Sequence, residues 1–238
     1  MTAPWIVGTI TTAKGLAYLR EAESAADLVE VRLDALLAAG VPLREIRAAL
    51  SEGVRPALLT PRSSEEGGRY DWAEGERRKR IDELFPAIDA LDLELAALPE
   101  LVGEWERAKA EGKQRILSVH WLGGNPGEER IRESCAKLEE QKPDWAKIAL
   151  RFRELDDLRL LVGILLEHRV QAWALMGLGP WAGLSRIVLA ALGSRLAYGY
   201  LDEAGAPGQP SVEELAGGLR SVGLGAPSGR RMMRAPGR

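Results

Sequence analysis

The sequence predicts a single (β/α)8 TIM barrel spanning residues 1–238. Three observations lead there. Short apolar runs alternate with longer amphipathic runs along the whole chain. The repeat is roughly 30 residues, the length of one strand–helix unit. The short runs are apolar nearly throughout rather than strictly alternating, as expected of parallel strands covered on both faces.

Taken in order, strands are expected at Trp5–Ile10, Leu28–Leu33, Pro56–Thr60, Ala90–Leu95, Arg115–His120, Trp145–Leu150, Val170–Met176 and Leu196–Leu201. Between them, Leu43–Leu50, Glu76–Ile88, Glu100–Ala110, Glu128–Glu140, Glu154–Glu167 and Leu184–Leu192 carry apolar residues at three- and four-residue spacing and read as helices. Asn125-Pro126 before Glu128 and Pro180 before Leu184 are helix-start signals. An open doubly wound sheet is the rival, but the first turn, Gly8–Thr12, lacks its Gly-x-Gly-x-x-Gly phosphate loop. No linker or domain boundary is visible. The stretch Gly205–Gln209 is short enough to be an active-site loop. Residues 222–238, with basic Arg230, Arg231 and Arg234, read as a frayed terminus.

Composition narrows the function classes. Acidic residues number 35 against 32 basic ones, a net charge of −3. That balance offers no basic face for nucleic acid. No apolar run reaches membrane-spanning length, and no charged segment followed by an apolar core marks a secretory leader, so a cytoplasmic location is expected. The single cysteine, Cys135, excludes an internal disulfide and reads as an apolar filler in a helix. Two histidines, with no HxxxH or CxxC spacing, leave no metal cluster. No cofactor is expected.

Barrel enzymes place their chemistry at the C-terminal ends of the strands. Polar residues there therefore stand out. Glu30, Arg32 and Asp34 alternate at the end of strand two, either as a structural ion-pair cluster or as part of a site. Arg62 ends strand three, ahead of the glycine-bearing loop Ser63–Arg69. Strand four carries Asp92 and Glu94 on one face, a pair that needs cationic partners. His120 sits at the tip of strand five, where a general acid/base belongs, whereas His168 belongs to a helix. Of seven lysines, only Lys147 lies inside an apolar strand pattern. A desolvated lysine amine is a nucleophile for ketones, although burial in a carboxylate pair is the other reading. Arg186, near a helix start after strand seven, suits an anion, and Gln209 offers an amide after strand eight. Together these point to a metal-free lyase or aldolase acting on a small anionic keto compound.

The order of motifs resembles type I 3-dehydroquinate dehydratase, the Schiff-base enzyme of the shikimate pathway. The pieces are EVRLD (Glu30–Asp34), TPRSSEEGG (Thr60–Gly68), DLEL (Asp92–Leu95), SVH (Ser118–His120), KIA (Lys147–Ala149), MGLGPWAGLSR (Met176–Arg186), GSRLAYGY (Gly193–Tyr200) and APGQPS (Ala206–Ser211). The resemblance implies that Lys147 forms an imine with the ring ketone of 3-dehydroquinate. It implies that His120 moves the proton, with Glu66 holding the histidine's state. Glu30 and Arg32 would grip ring hydroxyls, and Arg62, Arg186 and Gln209 would hold hydroxyl and carboxylate groups. A homodimer is implied as well. The chain departs from the family at Trp121–Gly124, at Arg151-Phe152 and at Gly205, where many members carry a serine. Another Schiff-base barrel lyase and a non-catalytic barrel are the competing readings.

Overall fold

The structure is a computed structural model that describes residues 3–168 and 172–225. Its frame is eight parallel strands: β1 (Trp5–Ile10), β2 (Leu28–Arg32), β3 (Ala57–Thr60), β4 (Ala90–Glu94), β5 (Gln114–Trp121), β6 (Trp145–Arg151), β7 (Trp173–Leu178) and β8 (Leu196–Tyr200). They run in the order β7-β6-β5-β4-β3-β2-β1-β8. The Arg195 N–H donates to the Trp173 carbonyl at 2.7 Å, tying the start of β8 to β7 and bringing the sheet round to a nearly closed barrel.

Among the described residues eight α-helices lie outside: α1 (Leu33–Ala38), α2 (Leu43–Glu52), α3 (Glu76–Leu84), α4 (Val102–Ala110), α5 (Glu128–Glu140), α6 (Asp156–Glu167), α7 (Ala182–Leu192) and α8 (Val212–Ser221). Two of these, α1 and α8, are absent from the sequence reading. The expected helix 76–88 divides at Leu84: Pro86 has no N–H for an α-helical bond, and Phe85–Ala87 tighten to a 3-10 turn. Strand β2 stops at Arg32, so Asp34 belongs to α1 and not to the barrel interior. The start expected for the seventh strand, Val170-Gln171, lies outside the described residues, as do residues 226–238 of the expected frayed terminus. Leu224, ahead of that stretch, is buried in the core.

Alternation along each strand sorts the side chains into two cores. Odd-numbered Val29 and Val31 of β2, with Leu91 and Leu93 of β4, face the helices in the larger outer core. Leu28, Leu58, Ala90, Ile116 and Leu196 fill the barrel interior as a smaller apolar plug. Above that plug, the same inward faces carry Glu30, Asp92, Glu94 and Ser118, each buried. The fold thus gathers a cluster of buried charge at the end of the barrel where the strands end and the connecting loops begin. Cys135 is buried in α5, and burial pushes its thiol up to about 12, which leaves it an inert filler.

Candidate active site

A cavity of about 270 Å³ opens at the C-terminal ends of the strands. Glu30, Arg32, Arg62 and Glu66 line it from the β2 and β3 side. His120, Lys147, Arg186 and Gln209 line it from the other strands and their loops. The eight residues to which the resemblance assigns roles therefore meet at one place.

Lys147 is buried, with its side chain 4% exposed. Its strand is apolar, but its amine is not in apolar surroundings. Barrel curvature brings β4 and β2 across from β6, and Nζ donates to Asp92 Oδ2 at 2.8 Å and to Glu30 Oε1 at 3.4 Å. The expectation of an amine isolated by desolvation is corrected accordingly. The ring of Tyr198 lies with its centroid 4.1 Å from Nζ. Glu30 also accepts from Thr9 and Thr60, at 2.8 and 3.0 Å.

Arg62 anchors the floor of the site. Its Nη1 donates to Glu94 and to Ser118, and its Nη2 to Asp92. Burial opposes its charge, but Asp92 and Glu94 outweigh that and raise its pKa. Burial likewise opposes ionisation of Asp92, yet Arg62 and Lys147 hold its carboxyl below the usual range. Glu94 is held down in the same way by Arg62 and Arg77. The carboxylate pair of β4 thus has the cations it needed. Both terminal nitrogens of Arg62 are engaged by protein, so most of its hydrogen-bonding capacity is spent on the site's own frame.

His120 is paired with Glu66. The Glu66 Oε2 atom accepts from the His120 backbone N–H at 2.9 Å and lies 2.8 Å from Nδ1. An oxygen already accepting one N–H suits a second, which puts the histidine's proton on Nδ1 and leaves Nε2 with a lone pair. Burial, and then the nearby cations Arg62, Lys147 and Arg32, push His120 well below its ordinary 6.5. It is neutral at pH 7. Burial pushes the Glu66 carboxyl up to about 7, so the dyad takes up a proton near neutrality.

Glu66 owes its position to the loop after β3. Asp34 accepts from the backbone N–H groups of Arg62 and Arg69, at 3.3 and 2.9 Å, and pins both ends of that loop. Gly68 fits at its base because a Cβ there would lie 2.2 Å from the Arg62 carbonyl oxygen. Arg32 donates to Asp34 through Nε and Nη2, at 2.9 and 2.8 Å, while lining the cavity. Asp34 is therefore a scaffold for the loop and not a third interior charge.

Arg186 differs from the other cations. Its Nε donates to the Tyr198 carbonyl at 2.7 Å, and its Nη1 to the Gly177 and Ala182 carbonyls at 2.8 and 2.9 Å. Among the described residues it forms no ion pair, although it is 3% exposed. Burial alone pulls it down to about 10, so it still carries its charge at neutral pH. The guanidinium is thus held by carbonyl oxygens where it lines the cavity. Gln209 accepts from the Gly205 N–H at 2.9 Å through its amide oxygen, which turns its NH2 group to other partners.

The family model described as Type I 3-dehydroquinase matches residues 6–225. The chain belongs to that family. It is 34% identical over 225 residues to the 3-dehydroquinate dehydratase of Thermococcus onnurineus, covering 92% of this chain and 99% of that protein. It is 31% identical over 196 residues to a bifunctional 3-dehydroquinate dehydratase/shikimate dehydrogenase of Arabidopsis thaliana, covering 81% of this chain but 32% of that longer protein. The crystal structure of 3-dehydroquinate dehydratase from Geobacillus kaustophilus superposes with a TM-score of 0.81 at 22% identity, covering 96% of this chain and 93% of that one. As a type I dehydroquinase, the chain is a hydro-lyase.

Three residues around Lys147 receive no role from the sequence reading of this dehydroquinase. Asp92 is the nearer carboxylate to Lys147, and Ser118, its hydroxyl 2.6 Å from Asp92 Oδ1, steadies it. Ser118 stands directly across from Lys147 in the β5–β6 register. Tyr198 packs on the amine. A signal for Asp92 was present, since a buried carboxylate on an apolar strand needs a cation and Lys147 is the one lysine inside an apolar strand pattern.

Proposed function

We propose that the chain dehydrates 3-dehydroquinate to 3-dehydroshikimate through an imine on Lys147, with His120 as the proton carrier. The observation that carries this reading is the buried Lys147 amine sharing one cavity wall with the neutral His120 on the neighbouring strand. Nζ, as the free amine, adds to the ring ketone, and loss of water leaves an iminium. The iminium acidifies the adjacent C–H, so neutral His120 suffices to remove that proton through Nε2. The electron pair left on carbon returns to expel the hydroxyl group at the β position. His120, now cationic beside the Glu66 carboxylate, gives its proton to that departing oxygen. Hydrolysis of the product iminium restores Lys147. Adding 3-dehydroquinate to the purified protein tests the reading directly: the conjugated product appears as a rising ultraviolet absorbance, and a protein that produces none is not this enzyme.

Arg186 receives the substrate carboxylate in this proposal, and Glu30, Arg32 and Gln209 meet its hydroxyl groups. Truncating one partner of a buried charge pair costs at least about 2 kcal/mol, or roughly 30-fold. Arg186→Ala is accordingly expected to raise KM by that factor or more in steady-state assays. Arg186→Lys recovers only part, because an ammonium lacks the planar fork that three carbonyls hold here. An unchanged KM in Arg186→Ala would put the carboxylate elsewhere.

A cytoplasmic homodimer completes the proposal. No helix among the described residues is long and apolar enough to cross a membrane. The adjacent helices α6 and α7 present Leu166, Leu184 and Leu192 to solvent, each more than 40% exposed, beside Trp181. Such a face suits a second copy of the chain. Sedimentation velocity is expected to give twice the 25.9 kDa chain mass, and Leu184→Glu with Leu192→Glu to give a monomer. A wild-type monomer at every concentration would refute the dimer.

A further inference from the structure

The fold holds one more group beside the Lys147 amine, and the chemistry above leaves it unused. Tyr198 is 3% exposed, and its ring centroid lies 4.1 Å from Lys147 Nζ. Its hydroxyl has no hydrogen-bond partner among the described residues. A buried tyrosine ordinarily satisfies its hydroxyl, so the feature that places this residue is the ring and not the O–H.

We propose that Tyr198 is a positioning residue for Lys147, whose ring face holds the positive charge on Nζ first as ammonium and then as iminium. The inference rests on the imine reading above. Its physical basis is the change in donors at the nitrogen. An ammonium has three N–H groups and can serve Asp92 and Glu30 together, as it does here. An iminium has one N–H and can serve only one of them. The attraction of the ring needs no N–H, because it acts between the positive charge and the negative face of the ring. It therefore persists when a carboxylate contact is lost. The ring also occupies one approach to the amine, 4.1 Å from Nζ, which restricts the directions from which a ketone carbon can approach.

A desolvated cation–π contact corresponds to a factor of roughly 30 in an equilibrium or a rate. Tyr198→Phe keeps the ring and removes only the unpartnered hydroxyl, so it is expected to trap the imine with borohydride at close to the wild-type rate. Tyr198→Leu is expected to lose roughly 30-fold in kcat and in trapping rate, with KM little changed. Replacing Tyr198 with a series of increasingly fluorinated phenylalanines separates charge from shape. Fluorine drains the negative face while the ring stays nearly the same size, so trapping rate and kcat are expected to fall step by step with fluorination at an unchanged Tm. A flat series, or Tyr198→Leu trapping at the wild-type rate, overturns the proposal. The parent reading fails differently: borohydride would then leave Lys147 of the wild-type protein unlabelled, whatever stands at position 198.

Discussion

Lys147→Ala is expected to lose turnover on the order of 10⁶-fold, the scale of deleting a covalent nucleophile. The reason is specific to the geometry. Among the described residues, Lys147 is the one lysine that lines the cavity, so no second amine can take its place. The variant is nevertheless expected to fold. Asp92 keeps Arg62 and Ser118 as donors, and Glu30 keeps Thr9 and Thr60. Neither carboxylate is orphaned, and the stability loss should stay below the 3–5 kcal/mol typical of a fully broken buried ion pair, as a rough scale. Thermal denaturation beside the assay checks both halves. A folded Lys147→Ala protein that still dehydrates the substrate at wild-type rate would remove the imine from the mechanism.

His120→Ala fails at a different step. The nucleophile, Asp92, Glu30 and Arg186 remain, so the substrate is expected still to bind and to form its imine, at a rate measurable by stopped mixing. Elimination then stalls for lack of a base. General acid/base help contributes about 10²–10⁴-fold, which sets the least loss expected in kcat. Intact-protein mass spectrometry should therefore show covalent adduct accumulating on His120→Ala and none on Lys147→Ala. The wild-type pH profile belongs to the same argument. As pH falls through about 7, a proton joins the dyad at Glu66, and the Nδ1–H arrangement that leaves Nε2 basic is lost. The kcat/KM profile is expected to hold above that pH and to decline below it. Turnover by His120→Ala at near the wild-type rate would make the histidine structural and Glu66 the leading candidate for the base.

Much of this was readable in the sequence because parallel strands buried on both faces must be apolar, so charge at their ends is conspicuous. Glu30, Arg62, His120 and Lys147 stood out for that reason. Asp34 misled because the alternation of β2 was carried two residues past Arg32, into a helix where side chains no longer alternate. Asp92 was recognised as needing a cation, but its pairing with Lys147 depends on barrel curvature across β4 and β6, which no local pattern records. Tyr198 was hidden for the opposite reason: an aromatic residue in a strand looks like packing. Helix α8 was legible in principle from its capping box, Ser211 with Glu214. Its two glycines argue against a helix locally, yet Gly218 is where Ile187 of α7 packs against it, close enough that a Cβ would lie 2.6 Å from Ile187 Cδ1. Tertiary packing, not propensity, decides that element.

The central claim is that the chemistry runs through an imine on Lys147, and reductive trapping tests it most directly. Borohydride added to the wild-type enzyme during turnover of 3-dehydroquinate should reduce the imine to a stable amine. Peptide mass spectrometry is then expected to find one ligand-derived mass, on the peptide that contains Lys147, with loss of activity in proportion to labelling. A label on another lysine, or an enzyme that turns over fully and takes no label, would contradict the account.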